Sequence, residues 1–201
     1  PVMDGIALCG ELKTSMETSH IPVVMLTAKA ALESQLQGLK TGADDYIPKP
    51  FHMDLLQIRV ANLLESRRLL REKFQKEFSS LPNVELPSDA REKEFLSKLT
   101  AVLEKHHSDL NFKLDEFSHA MNMSRSSLQR KSKAITGYTP IELLNDFRLK
   151  RVAALLVDTS GTIGDIAFSC GMSEPSNFNR MFKKHFRMTP SQYRDEKQQK
   201  Q

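Results

Sequence analysis

Two short stretches of this 201-residue chain carry the same kinds of hydrogen-bonding side chain in the same order. Ser126, Gln129 and Arg130 form the first set; Ser176, Asn179 and Arg180 form the second. Each set spans one helical turn, so on a helix its three side chains share a face. Arginine can bond guanine O6 and N7 in bidentate fashion, and glutamine or asparagine can do the same for adenine N6 and N7. Lys133 and Lys183, further along each stretch, can reach phosphates. The alternative is a pair of merely solvated charged faces. Recurrence at matching positions weighs against it.

The elements that must hold these sets are themselves repeated. Leu114-Asp115-Glu116-Phe117-Ser118 matches Ile163-Gly164-Asp165-Ile166-Ala167 at a separation of 49, as Met123-Ser124 matches Met172-Ser173. One residue is then inserted. Leu128, Arg130, Lys133, Thr139 and Pro140 match Phe178, Arg180, Lys183, Thr189 and Pro190 at a separation of 50. Each copy predicts a short helix, a tight turn and a second helix. In the first, Asn122 suits the left-handed turn and Ser124 is the expected cap. In the second, Gly171 turns the chain and Ser173 is the expected cap. This is a helix-turn-helix pattern, whose second helix can lie in a DNA major groove.

Helical phase divides the second helices into two faces. Phe178, Met181, Phe182, His185 and Phe186 predict one buried stripe in the second copy. Leu128, Ile135 and the stem of Lys131 take the inner side in the first. Between the copies, Thr139-Pro140 opens a helix of about 18 residues, roughly 27 Å long. That is close to the ~34 Å of one duplex turn. It suits two helices set in successive major grooves.

Charge agrees with an anionic partner for this half. Residues 1–90 carry 10 Lys+Arg against 12 Asp+Glu, whereas residues 91–201 carry 19 against 13. Basic residues neutralise phosphates and release counterions. No apolar run approaches the ~18 residues of a membrane span, and the longest is interrupted by Pro22. The two cysteines, Cys9 and Cys170, form no disulfide framework or metal pattern and suit a reducing compartment. Secreted, membrane-spanning and collagen-like classes are excluded.

The N-terminal segment reads α, β, α, β, α. Asp4 is the expected cap of a helix through Leu8 and Leu12. Residues 21–26 form a short apolar run, as in a buried parallel strand. Residues 30–40 predict a helix ended by Gly42. Tyr46-Ile47 forms a second strand, and a long helix starts near Met53, its apolar positions Leu55, Ile58, Leu63, Leu69 and Phe74 thinning into charge. Asp44 and Asp45 are expected to be solvated. Residues 79–90, with Pro82 and Pro87, predict a linker.

At this point two families become recognisable. Residues 91–201 resemble the AraC/XylS DNA-binding domains, through Ser124-Arg125-Ser126-Ser127-Leu128-Gln129-Arg130-Lys131, Gly137-Tyr138-Thr139-Pro140, Ile163-Gly164-Asp165-Ile166-Ala167, Cys170-Gly171-Met172, Phe178-Asn179-Arg180-Met181-Phe182-Lys183-Lys184 and Thr189-Pro190-Ser191-Gln192-Tyr193-Arg194. The resemblance implies an all-α domain with two helix-turn-helix motifs. It implies base reading by Ser126, Gln129, Arg130, Ser176, Asn179 and Arg180. Arg125, Lys133, Lys183, Lys184 and Arg187 would contact phosphates. The family usually has glycine where this chain has Arg187.

Residues 1–78 look like the back part of a response-regulator receiver, a truncated α/β (flavodoxin-like) fragment. Pro1-Val2-Met3-Asp4-Gly5, Leu26-Thr27-Ala28, Gly42-Ala43-Asp44-Asp45-Tyr46 and Lys49-Pro50-Phe51 carry this resemblance. It implies a phosphate-sensing hydroxyl at Thr27, an aromatic switch at Tyr46, a phosphate-binding Lys49 and a cis Lys49-Pro50 bond. The phosphoacceptor aspartate of the family would precede Pro1 and is absent from this chain. No cofactor is expected in this segment, Mg²⁺ being needed only by an intact receiver. Two strands of the family's five leave sheet edge and core exposed.

The order receiver, linker, AraC domain is similar to the end of a bacterial hybrid two-component sensor. It implies a cytoplasmic transcription regulator at the output of a phosphorelay. Its partners would be double-stranded DNA, an upstream sensor kinase on the same polypeptide or apart from it, and a second copy in a homodimer. The parent would be anchored in the inner membrane with no membrane contact by this segment. The alternative is a protein-interaction or phosphorelay module acting through the receiver remnant. An enzyme has no support: the histidines are scattered, and there is no Gly-rich phosphate loop, HExxH motif or nucleophile elbow. No catalytic or metal residue is assigned.

Overall fold

The computed structural model describes residues 3–28, 41–78 and 90–199. In order they form α1 (Gly5–Thr14), β1 (Val24–Thr27), β2 (Asp45–Pro48), α2 (Met53–Phe78), α3 (Ala90–His106), α4 (Leu114–Met121), α5 (Arg125–Thr136), α6 (Pro140–Asp158), α7 (Ile163–Ser169), α8 (Pro175–Phe186) and α9 (Pro190–Gln198). The expected helix at 30–40 lies outside the described residues. So does the expected linker, apart from Ala90, which opens α3. The chain divides into two compact units, residues 1–96 with 123–138, and residues 97–122 with 139–201. Among the described residues no helix is long and apolar enough to cross a membrane.

In the first unit, Asp4 caps α1 by accepting from the Ala7 N–H at 2.7 Å. β1 and β2 pair in parallel, from Val24↔Asp45 to Thr27↔Pro48. The strand begins later than the apolar run because Pro22 has no N–H to donate. The Lys49-Pro50 bond is cis, as the resemblance implied. α2 begins at Met53 and runs 26 residues, about 39 Å, beside strands of about 13 Å. Phe74 is buried, but Leu55, Ile58 and Leu69 are 42%, 57% and 52% exposed.

In the second unit, Leu149, Val152, Ala153 and Leu156 of α6 meet Ile166 and Ala167 of α7, Cys170, and Phe178 and Phe182 of α8. Phe182 is the centre, with ring centroids of Phe178, Phe186 and Tyr193 at 5.6, 4.5 and 5.6 Å. Thr139 and Thr189 each close a capping box, with Glu142 and Gln192, ahead of prolines at the first helical position. Gly171 has φ +81° and lies so close to the His107 carbonyl that a Cβ would stand 2.2 Å from it. No side chain fits there. Arg148 lies beside this turn and donates through Nε to the His107 carbonyl at 2.7 Å.

Candidate nucleic-acid interface

Helices α5 and α8 expose the side chains that the spacing selected. On α5, Ser126, Gln129 and Arg130 face solvent, together with Arg125 and Lys133. On α8, Ser176, Asn179 and Arg180 do the same, together with Lys183, Lys184 and Arg187. Each helix thus presents one short polar side chain, one amide and one guanidinium within its first half. The Arg180 guanidinium is steadied by donating to Asn177 Oδ1 at 2.9 Å. Such donors can meet base edges at the N-terminal half of a groove-bound helix, with lysines behind them near phosphates.

Local chemistry starts the two helices differently. Ser124 caps α5, its hydroxyl accepting from the Ser127 N–H at 3.2 Å. Ser173 does not cap α8. The cap position falls on Glu174, which makes no side-chain cap bond, and Pro175 follows at the first turn. The inserted residue of the repeat moves the cap position by one, onto a glutamate, and Pro175 lacks only the first unsatisfied N–H of the helix. The helices end alike, in left-handed residues: Gly137 at φ +81° and Arg187 at φ +63°. His185 leaves the expected buried stripe and sets Nδ1 3.1 Å from Asp146 Oδ1.

The largest surprise is on the inner face of α5. Lys131 is buried whole, amine included, where only its stem was expected to turn inward. Its Nζ donates to the Met16 carbonyl at 2.7 Å and to Ser19 Oγ at 3.0 Å, and lies 4.9 Å from the centre of the Phe95 ring. The signal was available in the repeat: Lys131 and Ser132 stand where the second copy has Met181 and Phe182. Nearby His20 is buried with Nδ1 unpartnered. Its pKa is lowered to about 4, first by burial and then by the charges of Lys131, Arg67, Arg130 and Lys13.

Of the receiver positions, Thr27 and Lys49 meet at the carboxyl end of the sheet, whereas Tyr46 pairs with Met25 nearer the strand starts. Thr27 closes β1, and its carbonyl accepts from the Lys49 N–H at 2.6 Å. This is the carboxyl end of parallel strands, where open α/β sheets place ligands. Lys49 is exposed and Tyr46 is buried. Asp44 is not a solvated carboxylate as expected. It accepts from Lys13, from the Val23 N–H at 2.8 Å and from Arg67 at 3.3 Å. Burial alone would raise its pKa, but those hydrogen bonds and charges hold it below the usual carboxylate value. Asp45 is engaged by Arg59 at 2.8 Å. The pair therefore does not fit a Mg²⁺ site, and among the described residues no three His, Cys, Asp or Glu side chains come together for a metal.

Comparison with known proteins agrees with this division of labour. Residues 1–61 match the response regulator receiver domain model, and residues 117–196 match a helix-turn-helix domain model. A histidine kinase of Formosa agariphila is 37% identical over 97% of this chain, which covers 14% of that protein. The transcriptional regulator MtrA of Neisseria gonorrhoeae is 34% identical over 49% of this chain and 32% of its own length. A transcriptional regulator of Chromobacterium violaceum, with an AraC-type DNA-binding domain, superposes with TM-score 0.50 at 27% identity, over 54% of this chain and 96% of that one. The chain thus spans a third or less of the two full-length relatives.

Proposed function

Because the chain joins part of a response-regulator receiver domain (residues 1–61) to an AraC-type helix-turn-helix domain (residues 117–196), we propose that it is the DNA-reading end of a two-component phosphorelay. Family and fold are those of DNA-binding transcription regulators, not of an enzyme. In this reading α5 and α8 are both recognition helices and enter successive major grooves of one duplex. Ser126, Gln129 and Arg130 read one half of the site; Ser176, Asn179 and Arg180 read the other. Arg125, Lys133, Lys183, Lys184 and Arg187 hold phosphates. The observation that carries the reading is the matched pair of exposed triplets, each backed by a buried inner face. The 19-residue α6, about 28 Å long, is near one duplex turn.

A sensor kinase supplies the phosphorylation signal. The Formosa relative's name, with the small share of it matched, supports a kinase on the same polypeptide. Thr27, Tyr46 and Lys49 are the positions that register the signal, and α2 carries it onward. The reading assigns this segment no cofactor. It places the segment in the cytoplasm and allows pairing with a second copy. The exposed Leu8, Leu26 and Ile58 favour a second reading, in which the receiver segment docks a protein partner and residues 91–201 show no salt-dependent DNA binding.

Selection from a random-sequence duplex library, repeated with Arg130→Ala and with Arg180→Ala, tests the two-helix reading. Each variant is expected to relax base preference in a different half of the selected site, about 10 base pairs apart. Relaxation of the same bases by both variants, or of none, would contradict it.

A further inference from the structure

We propose that the inner face of α5 is a docking surface for residues 15–20 of the receiver segment, with Lys131 as the pin. The inference rests on the reading of α5 as a recognition helix for its meaning, and on geometry alone for its existence.

A buried ammonium is costly unless its donors are satisfied. Lys131 finds its acceptors far along the chain, in the turn that follows α1: the Met16 carbonyl, at 2.7 Å, and Ser19 Oγ, at 3.0 Å. Met16 Sδ adds a third contact at 3.2 Å. Ser19 is 7% exposed and His20 is 8% exposed, so the end of the turn is buried while Ser15 and Glu17 face solvent. The turn is fixed from behind as well. Thr18 Oγ1 donates to the Leu12 carbonyl at 2.7 Å, and the Arg91 guanidinium donates to the Lys13 carbonyl.

The sequence of the helix fits this duty and no simpler one. At a separation of 50, the second copy fills the same inner positions with Met181 and Phe182, which pack into its own unit's core. A helix that only needed a core partner would do likewise. Instead α5 carries Lys131 and Ser132, and Ser132 spends its hydroxyl on the Tyr138 carbonyl at 2.8 Å. The small serine leaves the lysine to occupy the inner face. The Met16 carbonyl and the Ser19 hydroxyl are neutral acceptors, so these bonds from Lys131 are directional. It leaves Ser126, Gln129 and Arg130 exposed. The contact therefore positions the first reading helix and does not cover its reading face. A movement of the turn after α1 is passed to α5 through Lys131.

The test is amide hydrogen exchange on the full 201-residue chain and on Lys131→Met, the residue of the second copy. Exchange at residues 16–20 is expected to quicken tenfold or more while the α5 amides keep their protection. Unchanged exchange at 16–20 would overturn the proposal. Equal loss in the turn and in α5 would also overturn it, by making Lys131 a general core residue. Ser19→Ala is the second variant, because it removes one of the named acceptors and changes no residue of α5. It should quicken the same amides severalfold, and no change there would count against the pin. Neither readout involves DNA, so a failure of the DNA-reading assignment would leave this result standing.

Discussion

Helices α5 and α8 present the same kinds of side chain on their outer faces and differ inside. α8 rests on Phe178 and Phe182, buried at 3% and 0% exposure among aromatic neighbours. α5 rests on Leu128 and Ile135 but also buries Lys131, Ser132 and Thr136. The outward triplets were kept in kind while the inner faces parted. In the proposed reading the outer face meets DNA, and such a face tolerates few residue types. An inner face is free to change whenever its neighbours change with it. The polar inner face of α5 goes with a polar neighbour, the turn after α1.

Several substitutions sharpen this contrast, beginning with the outer face. Arg130→Ala with Arg180→Ala should weaken binding to a selected duplex by roughly 2–6 kcal/mol, at about 1–3 kcal/mol per reader. A gel-shift titration measures it, and unchanged affinity would remove both residues from base reading. Phe182→Ala should cost about 3–5 kcal/mol of stability in urea unfolding, because a fully buried ring leaves a cavity. Ser132→Ala, at the matching position of the first copy, should cost only about 1 kcal/mol, for one hydrogen bond lost at the Tyr138 carbonyl. Equal costs would dissolve the inner-face difference.

The smallest effects lie at the helix ends and in pH. Arg187→Gly should stabilise the chain by up to about 1 kcal/mol, since a left-handed residue with a Cβ is strained where Gly137 is not. A loss of stability would show that Arg187 does more than close the helix. His20 has a folded pKa of about 4 against an ordinary 6.5. Its neutral form is the one the fold accepts, so its contribution is complete above pH ~6.5 and shrinks as pH falls toward 4. The first unit should therefore loosen in that window. Asp44, held below the usual carboxylate value, keeps its charge there. His20→Gln should flatten the profile; a slope unchanged by this substitution would assign it to another group.

Much of the fold was legible in the sequence, for identifiable reasons. Helix starts were marked by Asp4, Ser124 and Thr139, whose side chains close their own caps over three residues. The turns were marked by Asn122 and Gly171, which the left-handed backbone favours. The shared exposed face of Ser126, Gln129 and Arg130, and that of Ser176, Asn179 and Arg180, was legible because helical phase depends only on spacing. What escaped was set by distant partners. Asp44 looked like half of a solvated pair until Lys13 and Arg67 were brought to it. Lys131 looked like a stem with its amine in water until Met16 and Ser19 closed over it. Ser173 failed as a cap because one inserted residue moved the helix start to Glu174 and Pro175.

The most direct test is a salt titration of the full chain on a library-selected duplex and on a random one. DNA reading by two basic helices predicts affinity that falls steeply with salt on both, about −0.9 in log–log slope per phosphate contact. It also predicts a large excess for the selected duplex, which the Arg130→Ala, Arg180→Ala double variant abolishes while the slope remains. Binding that ignores salt on both duplexes would contradict the account and leave the receiver segment as the working surface.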